Sequence, residues 1–128
     1  MDYENILSLA KSAAEEATLI LMDRFGKANV QQKSSRNLVT EADLEAETLI
    51  KRRISEAFPE HQVLGEEGGM IGDAASDSLW IVDPLDGTNN YAHGIPQFAV
   101  SIAYAFHGEI KVGGQPQMNH NIGFETEN

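Results

Sequence analysis

The sequence predicts an α/β fold in which helices pack against a sheet, and two observations carry that prediction. The first 57 residues show apolar positions recurring at helical spacing, while from residue 62 onward short apolar runs alternate with glycine, proline and turn pairs. Helices followed by strands in this way imply layered packing. With 128 residues, 41% of them hydrophobic, the chain can bury one core.

Residues 2–25 predict a helix, with Ile6, Leu9, Ala10, Ala13, Ala17, Ile20 and Leu21 on one side and Gly26 as its stop. A short strand or loop is expected over 28–36. A second helix is expected over 41–57, with Ala46, Leu49, Ile50, Ile54 and Ala57 facing inward, ending before Pro59. Glu15, Glu16, Glu45 and Glu47 read as solvated surface charges. Lys51, Arg52 and Arg53 suit the negative end of the helix dipole. Strands are expected at 62–64 and 79–83, with Leu79–Val82 a continuous apolar run buried on both faces. Pro84, lacking an N–H, is expected to end the pairing of that strand. Phe98–Phe106 and Glu109–Val112 predict a hairpin joined by His107-Gly108. Trp80, Phe98, Tyr104 and Phe106 are expected in the core. Residues 113–128 are polar, lack clean periodicity and are expected to be irregular.

Composition narrows the function. Twenty Asp and Glu against nine Lys and Arg give a formal charge of −11. That balance argues against nucleic acid, whose binding requires a positive footprint. With no cysteine, disulfides and thiolate metal sites are excluded. No apolar run reaches membrane-spanning length and the N-terminus lacks the basic start of a secretion signal, so a cytoplasmic protein is expected. His61, His93, His107 and His120 have no metal-ligand spacing and read as loop or turn residues, with His93 placed where it could approach a substrate.

The chemistry concentrates in Asp83-Pro84-Leu85-Asp86-Gly87-Thr88. An apolar strand delivers two carboxylates into a proline-initiated turn, and a glycine and a hydroxyl follow where a helix could begin. Asp83, Asp86 and the Leu85 carbonyl offer the oxygen ligands that Mg2+ prefers. Gly87 permits close backbone approach, and N–H groups at a helix start favour phosphate. A plain surface turn accounts for the same Asp-Pro-x-Asp-Gly run, although less well directly after a buried strand. Upstream, Val63-Leu64-Gly65-Glu66-Glu67-Gly68-Gly69 delivers a second carboxylate pair, with Glu66 expected to complete a metal cluster; a solvated loop is the alternative. In Asn37-Leu38-Val39-Thr40-Glu41-Ala42-Asp43, Thr40 and Asp43 form a helix-capping pattern. Asp43 could also orient a water or hold a weaker metal.

Together NLVTEAD, the GEE of VLGEEGG, and WIVDPLDGTNNYAHGIPQFAVSIA resemble the inositol monophosphatase family, over about residues 3 to 112. The resemblance implies an α/β layered sandwich of the sugar-phosphatase type, of which residues 1–112 would be the N-terminal α+β part. The family's C-terminal layers would be absent from these 128 residues, and the 113–128 tail unlike the family. It implies Mg2+-dependent, Li+-inhibited hydrolysis of a phosphate monoester, such as an inositol monophosphate or sugar phosphate, by a metal-activated water, with two or three Mg2+ ions. Relatives' substrates include inositol monophosphates, fructose 1,6-bisphosphate and nucleotide 3′-phosphates. By motif, Glu66, Asp83, the Leu85 carbonyl and Asp86 would be metal ligands. Gly87 and Thr88 would receive the phosphate, and Glu66, Thr88 and Asp43 would serve the attacking water. Lys33 matches the family's basic loop residue. A homodimer is compatible with this reading. The alternative from the same residues is a metal-binding or interaction module without turnover.

Overall fold

The computed structural model describes residues 3–24, 35–66, 69–86, 99–115 and 123–126. Two helices, α1 (Glu4–Arg24) and α2 (Ser35–Ala57), precede six strands: β1 (Gln62–Gly65), β2 (Gly69–Ile71), β3 (Ser78–Asp86), β4 (Ala99–Phe106), β5 (Glu109–Gln115) and β6 (Gly123–Thr126). The strands form one sheet in the order β2-β1-β3-β4-β5-β6. β1 and β3 run parallel, and every other pair is antiparallel.

Both helices lie on one face of this sheet. α1 presents Ile6, Ala10, Ala13, Ala14, Ala17 and Leu21, and its run of alanines lets the backbones come close. α2 adds Ala42, Ala46, Leu49, Ile50 and Ile54. Val63, Trp80, Val82, Ile102, Tyr104 and Val112 close the core from the sheet. At the start of β3, Trp80 donates its indole N–H to His61 Nδ1 at 3.0 Å, and His61 stacks on Phe58 at 4.6 Å. Arg24 with Glu45 at 2.7 Å, and Arg53 with Glu16, tie the helices at the surface. Such exposed pairs contribute little individually.

The expected helices, the strands near 62–64 and 79–83, and the hairpin are all present. His107 and Gly108 take φ of 52° and 81°, the double positive φ of a type I′ two-residue hairpin turn. Five expectations are corrected. α2 begins at Ser35, so Thr40 lies inside the helix and not at its cap; a Thr-x-x-Asp pattern fits a helix interior equally well, and no Gly or Pro interrupts 35–57. Ala57, expected inward, is exposed in the final turn. Glu47, expected on the solvated face, is 2% exposed. β3 is buried on one face only, because both helices cover the same side: Ile81 is 40% exposed, and Leu64, Met70 and Ile110 are also exposed. Gly113–Gln115 extend β5 and Gly123–Thr126 form β6, where an irregular tail was expected. A ladder needs only backbone N–H and C=O groups, so an unpatterned segment can still complete one. Most of the strand or loop expected over 28–36 lies outside the described residues, and Ser35 and Arg36 are helical.

Candidate metal and phosphate site

The parallel register of β1 and β3 decides where the acidic motifs meet. Gln62 pairs with Leu79, and the ladder ends with Gly65 beside Val82. Glu66 follows Gly65 and Asp83 follows Val82, so both residues lie just past the last β1–β3 pair, at the same end of that pairing. Neighbouring strands lie about 4.8 Å apart. In open α/β sheets, ligands bind beyond such carboxyl ends. Glu66 is exposed and Asp83 half-buried.

Pro84 does not end the pairing of β3. The register passes from Asp83↔Ser101 to Asp86↔Ala99, so β3 spends one residue more than β4 over this interval. This is a β-bulge, a place within a sheet where proline's missing donor is tolerated. Asp83 Oδ1 accepts a hydrogen bond from the Leu85 N–H at 3.3 Å, bending the chain around the buried Pro84. Leu85 is itself 3% exposed, which anchors the bulge in the core. Asp86 resumes the ladder through its backbone.

Asp43 lies on α2 with 8% exposure, one turn before Glu47, whose carboxylate lies against Gly65 of β1. One turn later Glu47 pairs with Lys51 Nζ at 3.2 Å, and that ammonium also donates to the Gly69 carbonyl at 3.0 Å. Sequence reasoning missed Glu47. The signal was present: Ile50 and Ile54 follow it at i+3 and i+7, so it falls on the apolar stripe.

The structure thus brings Glu66 and Asp83 together, with Leu85 in the bulge between Asp83 and Asp86. The Asp86 side chain and all of Gly87, Thr88, Glu67, Lys33 and His93 lie outside the described residues. Among the described residues, no three His, Asp or Glu side chains form a group able to hold a metal ion. The donors that the register sets on neighbouring strands, two carboxylates beside a bulged backbone, are hard oxygens of the kind that suits Mg2+.

The profile of the inositol monophosphatase family matches residues 2–119. The chain belongs to the inositol monophosphatase family. It is 42% identical over 105 residues to phosphatase IMPL1, chloroplastic, of Arabidopsis thaliana, covering 81% of this chain and 28% of that protein. It is also 42% identical over 110 residues to the Nus factor SuhB of Pseudomonas aeruginosa, covering 84% of this chain and 40% of that one. The solved extragenic suppressor protein suhB of Bartonella henselae superposes with a TM-score of 0.77 at 32% identity, over 94% of this chain and 51% of that chain. The fold is therefore that of the inositol monophosphatases, in its N-terminal α+β part. The chain spans well under half the length of these two curated relatives. Among the described residues, no helix is long and apolar enough to cross a membrane.

Proposed function

We propose that this chain carries the metal- and phosphate-binding half of a Mg2+-dependent phosphomonoesterase centre, acting on an inositol monophosphate or a related sugar phosphate. The observation that carries the reading is the delivery of Glu66 and Asp83 to one end of the parallel β1/β3 pair, beside the Asp83–Asp86 bulge. Glu66, Asp83, Asp86 and the Leu85 carbonyl would hold the metal. When bound, Mg2+ would polarise the phosphate and lower the pKa of water. The chain's own groups do the rest. Gly87 and Thr88 would offer N–H groups to the phosphate oxygens, Thr88 would help orient the attacking water, the Glu66 carboxylate would accept its proton, and Asp43 would support that water. Cations are required because the substrate is itself a dianion, and a bare acidic pocket would repel it.

The test is phosphate release from inositol 1-phosphate with and without Mg2+, alongside Asp83→Asn. The isolated chain is expected to release phosphate poorly, and that release to need Mg2+, to fall with Li+, and to vanish in the variant. Release that survives Asp83→Asn sinks the assignment. A second reading, a chain that associates with a partner without turnover, draws on the uncovered sheet face bearing Leu64, Ile81 and Ile110. Metal binding without any phosphate release would favour it.

A further inference from the structure

We propose that Glu47 and Lys51 form a clasp from α2 that holds the segment joining β1 to β2 and thereby sets Glu66 for metal binding. The proposal rests on the reading of Glu66 as a metal ligand. Both clasp residues are positioning residues, since neither is assigned to metal or substrate.

The side chains of Glu47 and Lys51 are 3% and 12% exposed, and a carboxylate so enclosed requires a charged or hydrogen-bonding partner. Lys51 supplies one at 3.2 Å from the next turn of the same helix. The pair then reaches both ends of the segment that contains Glu66. At the near end, a Cβ placed on Gly65 would lie 2.5 to 2.7 Å from the Glu47 carboxyl atoms, so the Gly65 backbone rests directly on that carboxylate. At the far end, Lys51 Nζ donates to the Gly69 carbonyl at 3.0 Å. Gly65 and Gly69 are themselves the last pair of the β1–β2 ladder. Glu66 is exposed, so burial of its own side chain does not fix it. The backbone that carries it is the one the clasp grips. Asp43 lies one turn before Glu47, so α2 carries Asp43 and the clasp in one rigid column. A ligand must be held to within about 0.5 Å to bind productively, and loss of such outer-shell support costs about 10- to 100-fold in metal affinity.

The test uses the 128-residue chain with Lys51→Met, Glu47→Gln and the conservative Lys51→Arg. Two readouts are taken: amide hydrogen exchange without metal, and Mn2+ affinity by calorimetry. Lys51→Met and Glu47→Gln are expected to speed exchange at Gly65, Glu66 and Gly69 while β3 and β4 amides hold their rates. They are expected to weaken Mn2+ about tenfold, with Lys51→Arg restoring most of both. Unchanged exchange and affinity overturn the clasp, as does faster exchange spread equally over the core. Faster turn exchange with unchanged Mn2+ affinity also overturns it, but leaves the metal site standing. If the parent chain binds no Mn2+, the site reading fails first, and the clasp's role with it.

Discussion

Replacing Tyr104 by Phe removes one oxygen from the core and tests how its buried polar contact contributes. The Tyr104 hydroxyl lies 2.7 Å from Ser78 Oγ, with Tyr104 fully buried and Ser78 5% exposed. The ring keeps its apolar neighbours in the variant: Trp80 at 5.2 Å, His61 at 5.7 Å and Tyr3 at 6.3 Å between centroids. The loss is therefore the hydrogen bond and the stranding of the Ser78 hydroxyl, together about 1 to 3 kcal/mol. For a chain of this size, each kcal/mol corresponds to roughly 3 to 5 °C in Tm. Ser78→Ala removes the same hydrogen bond from the phenol's side and should also destabilise the chain. The double variant loses this one hydrogen bond only once and should be no less stable than the worse single one. Urea denaturation of the four proteins yields the coupling, expected at about 1 kcal/mol or more. Single effects that add to within about 0.5 kcal/mol refute the reasoning. Burial first raises the Tyr104 pKa above its usual 10.0, against the opposing Ser78 hydrogen bond. The folded chain thus holds this proton longer than the unfolded one. Stability is full below pH 10.0 and falls as pH rises through the elevated value, a slope that Tyr104→Phe should remove.

Two further outcomes follow from burial. His61 is held below its usual 6.5, first by desolvation and against the opposing charge of Glu60. Because Trp80 can only donate, His61 Nδ1 must stay unprotonated to accept. The folded pKa is depressed, so stability is full above pH 6.5 and is lost as pH falls through the folded value. Thermal melts from pH 8 to 5 should show that decline, and the same slope persisting in His61→Phe would contradict it. Ile81 and Ile102 pair with neighbours on opposite faces of the sheet, 40% and 1% exposed. Ile102→Ala should cost about 2 to 5 kcal/mol, and Ile81→Ala clearly less. Equal losses in chemical denaturation would mean that the Ile81 face is covered in solution.

Much of this fold is legible because local signals agree with the global arrangement. The alanine-rich stripe of α1, the apolar stripe of α2 and the His107-Gly108 turn each have one good structural solution. What failed to show in the sequence depends on partners distant in the chain. The run Leu79–Val82 cannot say how many of its faces are covered, because that depends on which side the helices choose. Glu47 looks like any acidic helix residue until Lys51 and the Gly65 backbone are placed around it. Pro84 breaks pairing in a regular strand, but a bulge absorbs it, and only the register with β4 reveals the extra residue. Asp83 and Glu66 were singled out by motif. Their shared end of the sheet follows from the β1–β3 register.

That register also divides the labour along one pair of strands. Near the start of β3, Trp80, His61, Phe58 and Tyr104 form an aromatic cluster with a part-buried hydrogen bond, so this end is fixed by packing. At the opposite end the strands emerge into a proline bulge and an exposed glutamate, so packing gives way to polar groups. Had β1 and β3 paired antiparallel, Glu66 would leave the sheet at the aromatic end, a strand's length from Asp83. A slip of one residue would exchange the faces of Val63 and Leu64, exposing a core side chain. The core contacts of Val63, Trp80 and Val82 therefore enforce the register that sets Glu66 and Asp83 at one end of the β1–β3 pair. Stability and the proposed chemistry depend on the same pairing, and variants that loosen the aromatic end should weaken Mn2+ binding at the acidic end.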